Sequence, residues 1–265
     1  MAKTLLLEEL TSTEFSGLNL KKCLLVWPIA SIEQHGPYLP LGTDLIILTY
    51  IAGEVRKKLD NKIPVIFGPP LPIGKSPEHL DFPGTISLTT KTILNVIEDI
   101  ITSLAAHNFK RLVFLNGHGG NINVLQALGP DLRHKHDIEL YYIDLWGGTF
   151  FNDAIHSCFP NLPIPDIHAA STETSMLLYI RPDLVKPTFS SATSTLSTIS
   201  TSYGIKVNNE VSFGWVARDF GESGIIGDPS QASVEAGKYL VDYAVNKVCR
   251  LLERISASNS PNANR

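Results

Sequence analysis

Residues 23–30 of the chain read CLLVWPIA, an apolar run with the length of one β-strand. Such a run is typical of a strand that is buried on both faces of a sheet. After a turn rich in glycine and proline, residues 45–59 carry apolar side chains at helical spacing, with three basic residues near their end. Together these segments predict a β-strand followed by an α-helix, the unit from which parallel sheets are built.

The same alternation of strand and helix continues along the chain. Further strands are predicted over residues 63–71, 111–115 and 138–145, and further helices over residues 89–107, 122–136, 172–179 and 234–252. Strands separated by helices of this length pair in parallel and place helices on both faces of the sheet. We therefore expect an α/β fold, three-layer α/β/α with a mostly parallel central sheet, in a single domain over residues 1–255. The Ser/Thr-rich composition of residues 188–202 predicts a connecting loop, and the small polar residues 256–265 are predicted to form a disordered tail.

The composition is that of a globular enzyme, since 43% of the 265 residues are hydrophobic and 18% are charged. A net charge of −4 without a stripe of basic residues argues against nucleic acid as a partner. No apolar run approaches the roughly 20 residues of a membrane span, and the N-terminus lacks the pattern of a signal peptide, so we expect a cytoplasmic protein. Three widely spaced cysteines argue against a disulfide framework.

The strongest chemical signal follows the first predicted strand, in the stretch ASIEQHGPYLPLGTD at residues 30–44. Glu33 and His35 are two residues apart, so in extended chain they present a carboxylate and an imidazole on the same side. Asp44 then falls at the start of the next helix, where the helix dipole favours an ionised carboxylate. Such a mixed set of oxygen and nitrogen ligands suits zinc, manganese or iron(II). The alternative is a polar turn in which Glu33 and His35 only pair with each other.

A second signal is LVFLNGHGGN at residues 112–121, a buried strand that runs into a glycine-rich turn. Because sites in parallel sheets form at the carboxyl ends of the strands, we expect His118 to lie beside Glu33, His35 and Asp44. A phosphate-binding loop is the alternative, but no Lys-Ser/Thr pair follows the glycines.

Two further stretches contain candidate catalytic residues. In HAASTETS, residues 168–175, His168 precedes Glu173, which is either functional or only a residue that caps the following helix. In GKSPEHLDFPGT, residues 74–85, Glu78 and His79 either bind substrate and move a proton or belong to a solvated loop. Aromatic residues in later loops either line a pocket or fill the core: Trp146, Phe150, Phe151, Tyr203 and Trp215.

These four stretches, with GIIGDP at residues 224–229, together resemble the creatininase (creatinine amidohydrolase) family over about residues 25–240. The resemblance implies a three-layer α/β/α fold, a small-molecule substrate, a homo-oligomer that is usually a hexamer, and two divalent metal ions per subunit (Zn, Mn or Fe). It also implies that Glu33 and His118 bind one ion, that His35 binds the other, and that Asp44 bridges them.

One position departs from the family pattern. True creatininases have a glutamate ligand two residues after the histidine of the third motif, where this chain has Gly120. The form NGHGGN resembles family branches that deformylate formamido-pyrimidines or process peptide-derived cofactors, so creatinine is not the expected substrate. We hypothesise that Glu173 replaces the missing ligand.

The function predicted from the sequence is a divalent-metal-dependent amidohydrolase that cleaves a C–N bond of a small cyclic amide or formamide-type substrate with metal-activated water. His168 is the predicted proton donor to the leaving nitrogen because an imidazole titrates near neutral pH, with Glu78 or His79 in reserve. Two alternatives stay open: a metallopeptidase that acts on a short or modified peptide, and a non-catalytic metal-binding protein.

Overall fold

The computed structural model describes residues 4–160, 166–191 and 214–258. The strands of these residues form one parallel sheet in the order β1-β3-β2-β4-β5. They are β1 Thr4–Leu6, β2 Leu24–Ile29, β3 Val65–Phe67, β4 Arg111–Asn116 and β5 Glu139–Asp144. The predicted α/β class is therefore confirmed. The predicted connector beyond residue 191, Tyr203 and the tail beyond residue 258 lie outside the described residues.

Seven α-helices flank the sheet in the described part of the chain. They are α1 Ser12–Ser16, α2 Thr43–Leu59, α3 Thr90–Ala105, α4 Ile122–His136, α5 Asn152–Cys158, α6 Ser171–Ile180 and α7 Val234–Ala257. Helix α7 includes the first two residues of the predicted tail, Ser256 and Ala257, and its apolar stripe continues through Leu252 to Ile255, which packs against the core.

Each central strand contributes to two separate cores, one on each face of the sheet. In β2, Leu24 and Val26 pack with α2, α6 and α7, whereas Leu25 and Ile29 pack with α3 and α4. In β4 the same alternation divides residues 113 and 115 from residues 112 and 114. This period of two explains why the strands are apolar throughout, since both of their faces are buried.

The order of the strands determines where a site can form. From β2 the chain passes through α2, on one face, to β3 on one side of β2; from β3 it passes through α3, on the other face, to β4 on the opposite side. The carboxyl ends of β2 and β4 therefore lie side by side at the point where the connections diverge, which is where parallel sheets bind ligands.

Strands β3 and β1 differ from the prediction, and helices α1 and α5 were not predicted. β3 covers only Val65–Phe67 of the predicted residues 63–71, because Pro69 and Pro70 have no N–H to donate to a neighbouring strand. The three-residue edge strand β1 was not predicted, since so short a run has no periodicity of its own.

Candidate metal centre

The candidate residues of the sequence converge at the carboxyl ends of β2 and β4. Glu33 and His35 lie just after β2, and Asp44 lies in the first turn of α2. His118 lies in the turn after β4. The others come from the short helix Pro77–His79, from the bridge between residues 168 and 226, and from the first turn of α6. The side chains brought together are Glu33, His35, Asp44, Glu78, His79, His118, His168 and Glu173.

His118 meets two carboxylates through one ring nitrogen. Its Nδ1 lies 3.3 Å from Glu33 Oε2 and 3.1 Å from Asp44 Oδ2. Its Nε2 lies on the far side of the ring, 3.0 Å from the carbonyl oxygen of Lys75 and 3.1 Å from Ser76 Oγ. A proton on Nε2 that is donated to the carbonyl leaves the lone pair of Nδ1 directed at the two carboxylates.

His35 forms a matching group on the other side of Asp44. Its Nε2 lies 3.3 Å from Asp44 Oδ1 and 3.7 Å from Glu173 Oε1, and its Nδ1 lies 3.1 Å from the carbonyl oxygen of Glu33. The second carboxylate oxygen of Glu173 accepts the backbone N–H of Ala169 at 2.5 Å. Glu173 thus accepts with one oxygen from a backbone donor that precedes α6 and faces His35 with the other.

Gln34 orients the two remaining histidines. Its Oε1 accepts the N–H of Gly36 at 2.9 Å, and its amide nitrogen donates to the carbonyl of Gly224 at 2.9 Å, which determines which end of the amide is which. The same nitrogen therefore donates to His79 Nδ1 at 2.8 Å, which leaves the proton of that ring on Nε2. The backbone carbonyl of Gln34 accepts from His168 Nε2 at 2.8 Å, so His168 presents Nδ1 to Glu33.

The electrostatics of the centre are dominated by buried carboxylates and imidazoles. Burial raises the pKa of the Glu33 carboxyl, but three histidines, His118 foremost, hold that pKa well below its usual value. Burial lowers the pKa of His35, yet Glu173 and Asp44 raise it well above the ordinary value. The pKa of His118 is raised well above its ordinary value in the same way, by Glu33 and Asp44 against the effect of burial. The carboxylates thus create a potential that attracts positive charge.

The other two histidines behave differently. Burial, together with the positive charge of His35, lowers the pKa of His168. Burial and His168 lower the pKa of His79. Both rings are therefore neutral at physiological pH, and burial makes each of them a weaker base than a free imidazole.

Within the described part of the chain, three buried polar atoms of the centre have no hydrogen-bond partner: Glu33 Oε2, His35 Nε2 and Asp44 Oδ2. Atoms of this kind normally find partners when they are buried, because leaving one unpaired costs about 1–3 kcal/mol. Among the described residues, three sets of donor atoms lie within 4.8 Å of one another, as a metal ion requires. The sets are Glu33 with His35 and Asp44, His35 with His168 and Glu173, and Glu33 with His79 and His168.

Glu78 lies at the wall of the centre and over Gly120. Its Oε1 is 3.8 Å from His118 Nε2, and burial raises the pKa of its carboxyl. A Cβ atom at position 120 would lie 2.4 Å from the same oxygen and 2.3 Å from the carbonyl oxygen of Lys75. The space that a side chain at position 120 would need is therefore filled by neighbouring residues.

A cavity of about 1190 Å³ opens from the centre. It extends past the ends of β4 and β5 to the beginning of α4 and to Lys247 of α7. Trp146, Phe150 and Trp215 line it, and Phe150 also packs in the core, where Phe151 is buried.

Two organising residues were not predicted as part of the site. Gln34 lies between two residues that were predicted, and its position in the motif was the available signal. Asn121 closes the turn after β4, where its side chain accepts the N–H of Lys75 at 2.9 Å and donates to the carbonyl of Ala30 at 3.2 Å. It thereby joins the loop before Pro77–His79 to the end of β2.

None of the helices in the described part of the chain has the length and hydrophobicity that a membrane span requires. The family model described as creatininase, creatinine amidohydrolase, matches residues 8–252. A mycofactocin precursor peptide peptidase of Mycolicibacterium smegmatis is 34% identical over 230 residues, which cover 86% of this chain and 83% of that protein. A creatinine amidohydrolase of Pseudomonas putida is 30% identical over 199 residues, 70% of this chain and 75% of that protein.

Solved structures agree with these relatives. A protein from Bacteroides fragilis described as a putative creatinine amidohydrolase superposes with a TM-score of 0.77 at 25% identity, covering 98% of this chain and 99% of that one. A structure titled "Creatininase Mn" has a TM-score of 0.76 at 22% identity, covers 97% of this chain and 100% of that one, and supports the fold. The chain therefore belongs to the creatininase family and is a divalent-metal-dependent hydrolase of carbon–nitrogen bonds.

Proposed function

We propose that this enzyme uses two divalent cations to hydrolyse the amide bond of an extended, peptide-like substrate. The proposal rests on the convergence of three buried atoms that can bind a metal ion and that have no hydrogen-bond partner among the described residues. They are Glu33 Oε2, His35 Nε2 and Asp44 Oδ2. Cations between them would satisfy all three. The mixed set of carboxylate oxygens and imidazole nitrogens suits zinc, manganese or iron(II).

The ligand assignment follows from which atoms face each other. Glu33 and His118 would hold one cation with Asp44 Oδ2, and His35 and Glu173 would hold the other with Asp44 Oδ1. In each imidazole the ring nitrogen away from the carboxylates lies within hydrogen-bond distance of a backbone carbonyl, an arrangement that fixes ring orientation in metal sites. Glu173 thus supplies the carboxylate that Gly120 cannot.

Cations bound in this way polarise a carbonyl group and lower the pKa of a bound water towards neutrality. The residues of the chain must then move protons. His168 is held by the carbonyl of Gln34 with a neutral ring and with Nδ1 towards Glu33 Oε1, 3.7 Å away. Nδ1 can accept a proton from the attacking water and return it to the leaving nitrogen. Glu78 and His79 form the adjacent wall and would contact the substrate.

The size of the cavity favours a peptide-like amide. Sites for small molecules typically occupy about 300–1,000 Å³, and this cavity of about 1190 Å³ exceeds that range. Its aromatic residues offer contacts for side chains of a substrate several bonds from the scissile one. The relative that is a mycofactocin precursor peptide peptidase points the same way.

A compact cyclic amide or formamide is the second candidate substrate. It is favoured by the creatinine amidohydrolase relative and by a deformylase of a formylamino-pyrimidine from Methanothermobacter marburgensis, 30% identical over 113 residues, which cover 42% of this chain and 46% of that protein. A panel of short peptides, lactams and formamides, assayed with Zn²⁺, Mn²⁺ or Fe²⁺, distinguishes the two candidates. Metal-dependent release of amino acids from peptides is the expected result.

The ligand assignment is tested by metal content. Elemental analysis of the parent protein should find close to two divalent ions per chain, and the Glu173→Gln variant should retain about one. The exposed Glu54→Gln variant on α2 controls for the loss of one negative charge. Two ions in Glu173→Gln would remove Glu173 from the site, and undiminished hydrolysis after chelation would remove the metals from the reaction.

A further inference from the structure

Lys75 presents its side chain to the cavity from a backbone that is held on both sides. Its N–H donates to Asn121 Oδ1 at 2.9 Å, and its carbonyl oxygen lies 3.0 Å from His118 Nε2. The side chain is 24% exposed and lines the cavity with Glu78 and His118. The backbone that carries this side chain is therefore tied to the candidate metal centre.

The polar contacts of this ammonium are incomplete. Within the described part of the chain, its one recorded ion pair is with Glu78 Oε2 at 3.8 Å, which is too long for a hydrogen bond. Lys75 therefore has hydrogen-bonding capacity left over.

The other lysine of the cavity differs in this respect. Lys247 donates to the carbonyl of Phe150 at 2.5 Å and to Tyr243 Oη at 3.2 Å, and its Nζ lies 4.7 Å from the centroid of the Phe150 ring. Its ammonium group serves to hold the loop after β5 against α7. Of the two, Lys75 is the one placed to bind a ligand.

The charge around Lys75 also favours an anion. The three proposed carboxylate ligands leave two divalent cations with one uncompensated positive charge, and Lys75 adds another beside it. A carboxylate that approaches this corner is attracted by both. A phosphate dianion would be repelled more strongly than a carboxylate by the neighbouring Glu78.

We propose that Lys75 binds a carboxylate of the substrate next to the scissile amide. The substrate class is then an amide whose amine portion carries a free carboxylate, such as the last peptide bond of a peptide with an unblocked C-terminus. This inference rests on the function proposed for the centre. Hydrolysis of such a bond releases an amino acid.

The test compares the binding of two neutral-amide ligands that differ only in this carboxylate. N-benzoylglycine and N-benzoylglycinamide are titrated calorimetrically into parent protein loaded with Mn²⁺. The parent should bind the acid at least about tenfold more tightly, because only the acid offers a charged acceptor to the Lys75 ammonium. Lys75→Met should lose most of this preference, and Lys75→Arg should retain it. Lys57→Met, on the exposed face of α2, makes the same change in net charge and should behave as the parent.

Several results would overturn the inference: equal binding of both ligands by the parent, binding of neither, or an undiminished preference for the acid in Lys75→Met. If that undiminished preference disappears when the metal is removed, the carboxylate binds the cations instead of Lys75. Thermal unfolding of each variant checks that it is folded. The proposed function of the centre is tested by a separate experiment, the metal-dependent hydrolysis of peptides by the parent protein. The result of that experiment does not depend on how the two benzoyl ligands bind.

Discussion

Replacement of Gly120 by alanine tests whether the missing side chain at this position is a packing requirement of the site. The added Cβ would lie 2.3 Å from the carbonyl oxygen of Lys75, 2.4 Å from Glu78 Oε1 and 2.5 Å from His118 Nε2. The Glu78 side chain can rotate away, but the Lys75 carbonyl belongs to a backbone that Asn121 holds in place. The turn that contains residue 120 therefore has to shift, and His118 has to move with it. Overpacking of this kind costs about 1–3 kcal/mol.

Thermal unfolding of the metal-free protein measures that cost. A change of 1 kcal/mol shifts the Tm of a domain of 150–250 residues by about 2–4 °C, so Gly120→Ala should lower it by several degrees. The displacement of His118 should also disturb its contact with the Lys75 carbonyl, and loss of such an outer partner lowers metal affinity about 10–100-fold. Competition with a chromophoric chelator measures this second effect.

Gly119→Ala is the matched control in the same turn, because a Cβ at position 119 meets no atom within 4 Å. It should leave both the Tm and the metal affinity close to those of the parent. If Gly120→Ala unfolds and binds metal like Gly119→Ala, the crowding described at this position is wrong. By the same reasoning Gly120→Glu should not gain a ligand, and a metal content above that of the parent would contradict this.

Three further changes have defined outcomes. His168→Ala should lower kcat about 10²–10⁴-fold with unchanged metal content, and loss of a cation in elemental analysis would make His168 a ligand instead of a proton carrier. Gly237→Ala should destabilise the fold in urea by about 3 kcal/mol, because its Cβ would lie 1.8 Å from the carbonyl oxygen of Ser175 where α7 crosses α6; Gly53→Ala, with no neighbour within 4 Å, should not. Burial raises the pKa of Asp166 to about 7, so ionisation of this carboxyl destabilises the folded parent protein as pH rises towards 7. The Tm of Asp166→Asn relative to the parent should therefore increase between pH 5 and pH 8. A Tm difference that does not change with pH would argue against this pKa.

The sequence predicts the central elements because burial leaves a pattern in them. β2 and β4 are apolar on both faces, and α3 repeats its apolar residues with helical period, so each can be identified without its neighbours. β1 has no such pattern, since its existence depends on pairing with β3 across 60 residues of chain, an arrangement that only the folded sheet supplies. Helix α1 was missed although Thr11 and Glu14 form a capping box, a signal that was present in the sequence.

The candidate site was predictable where its residues follow strands. Glu33, His35 and His118 stand at strand ends, and the geometry of parallel sheets brings such ends together. The link between Glu173 and His35 depends on how α6 packs, and periodicity contains no information about that packing. The roles of these residues, the hexamer and the cytoplasmic location stay predictions.

The orientation of His168 by the carbonyl of Gln34 joins positions that are 134 residues apart in the chain. Until α6 has docked, the carboxylates of Glu33 and Asp44 therefore lack the later members of the site, His168 and Glu173. During synthesis from the N-terminus, an incomplete chain has no means of forming the second of the two ligand groups. Tight uptake of a full complement of ions thus becomes a report that α6 has reached its place.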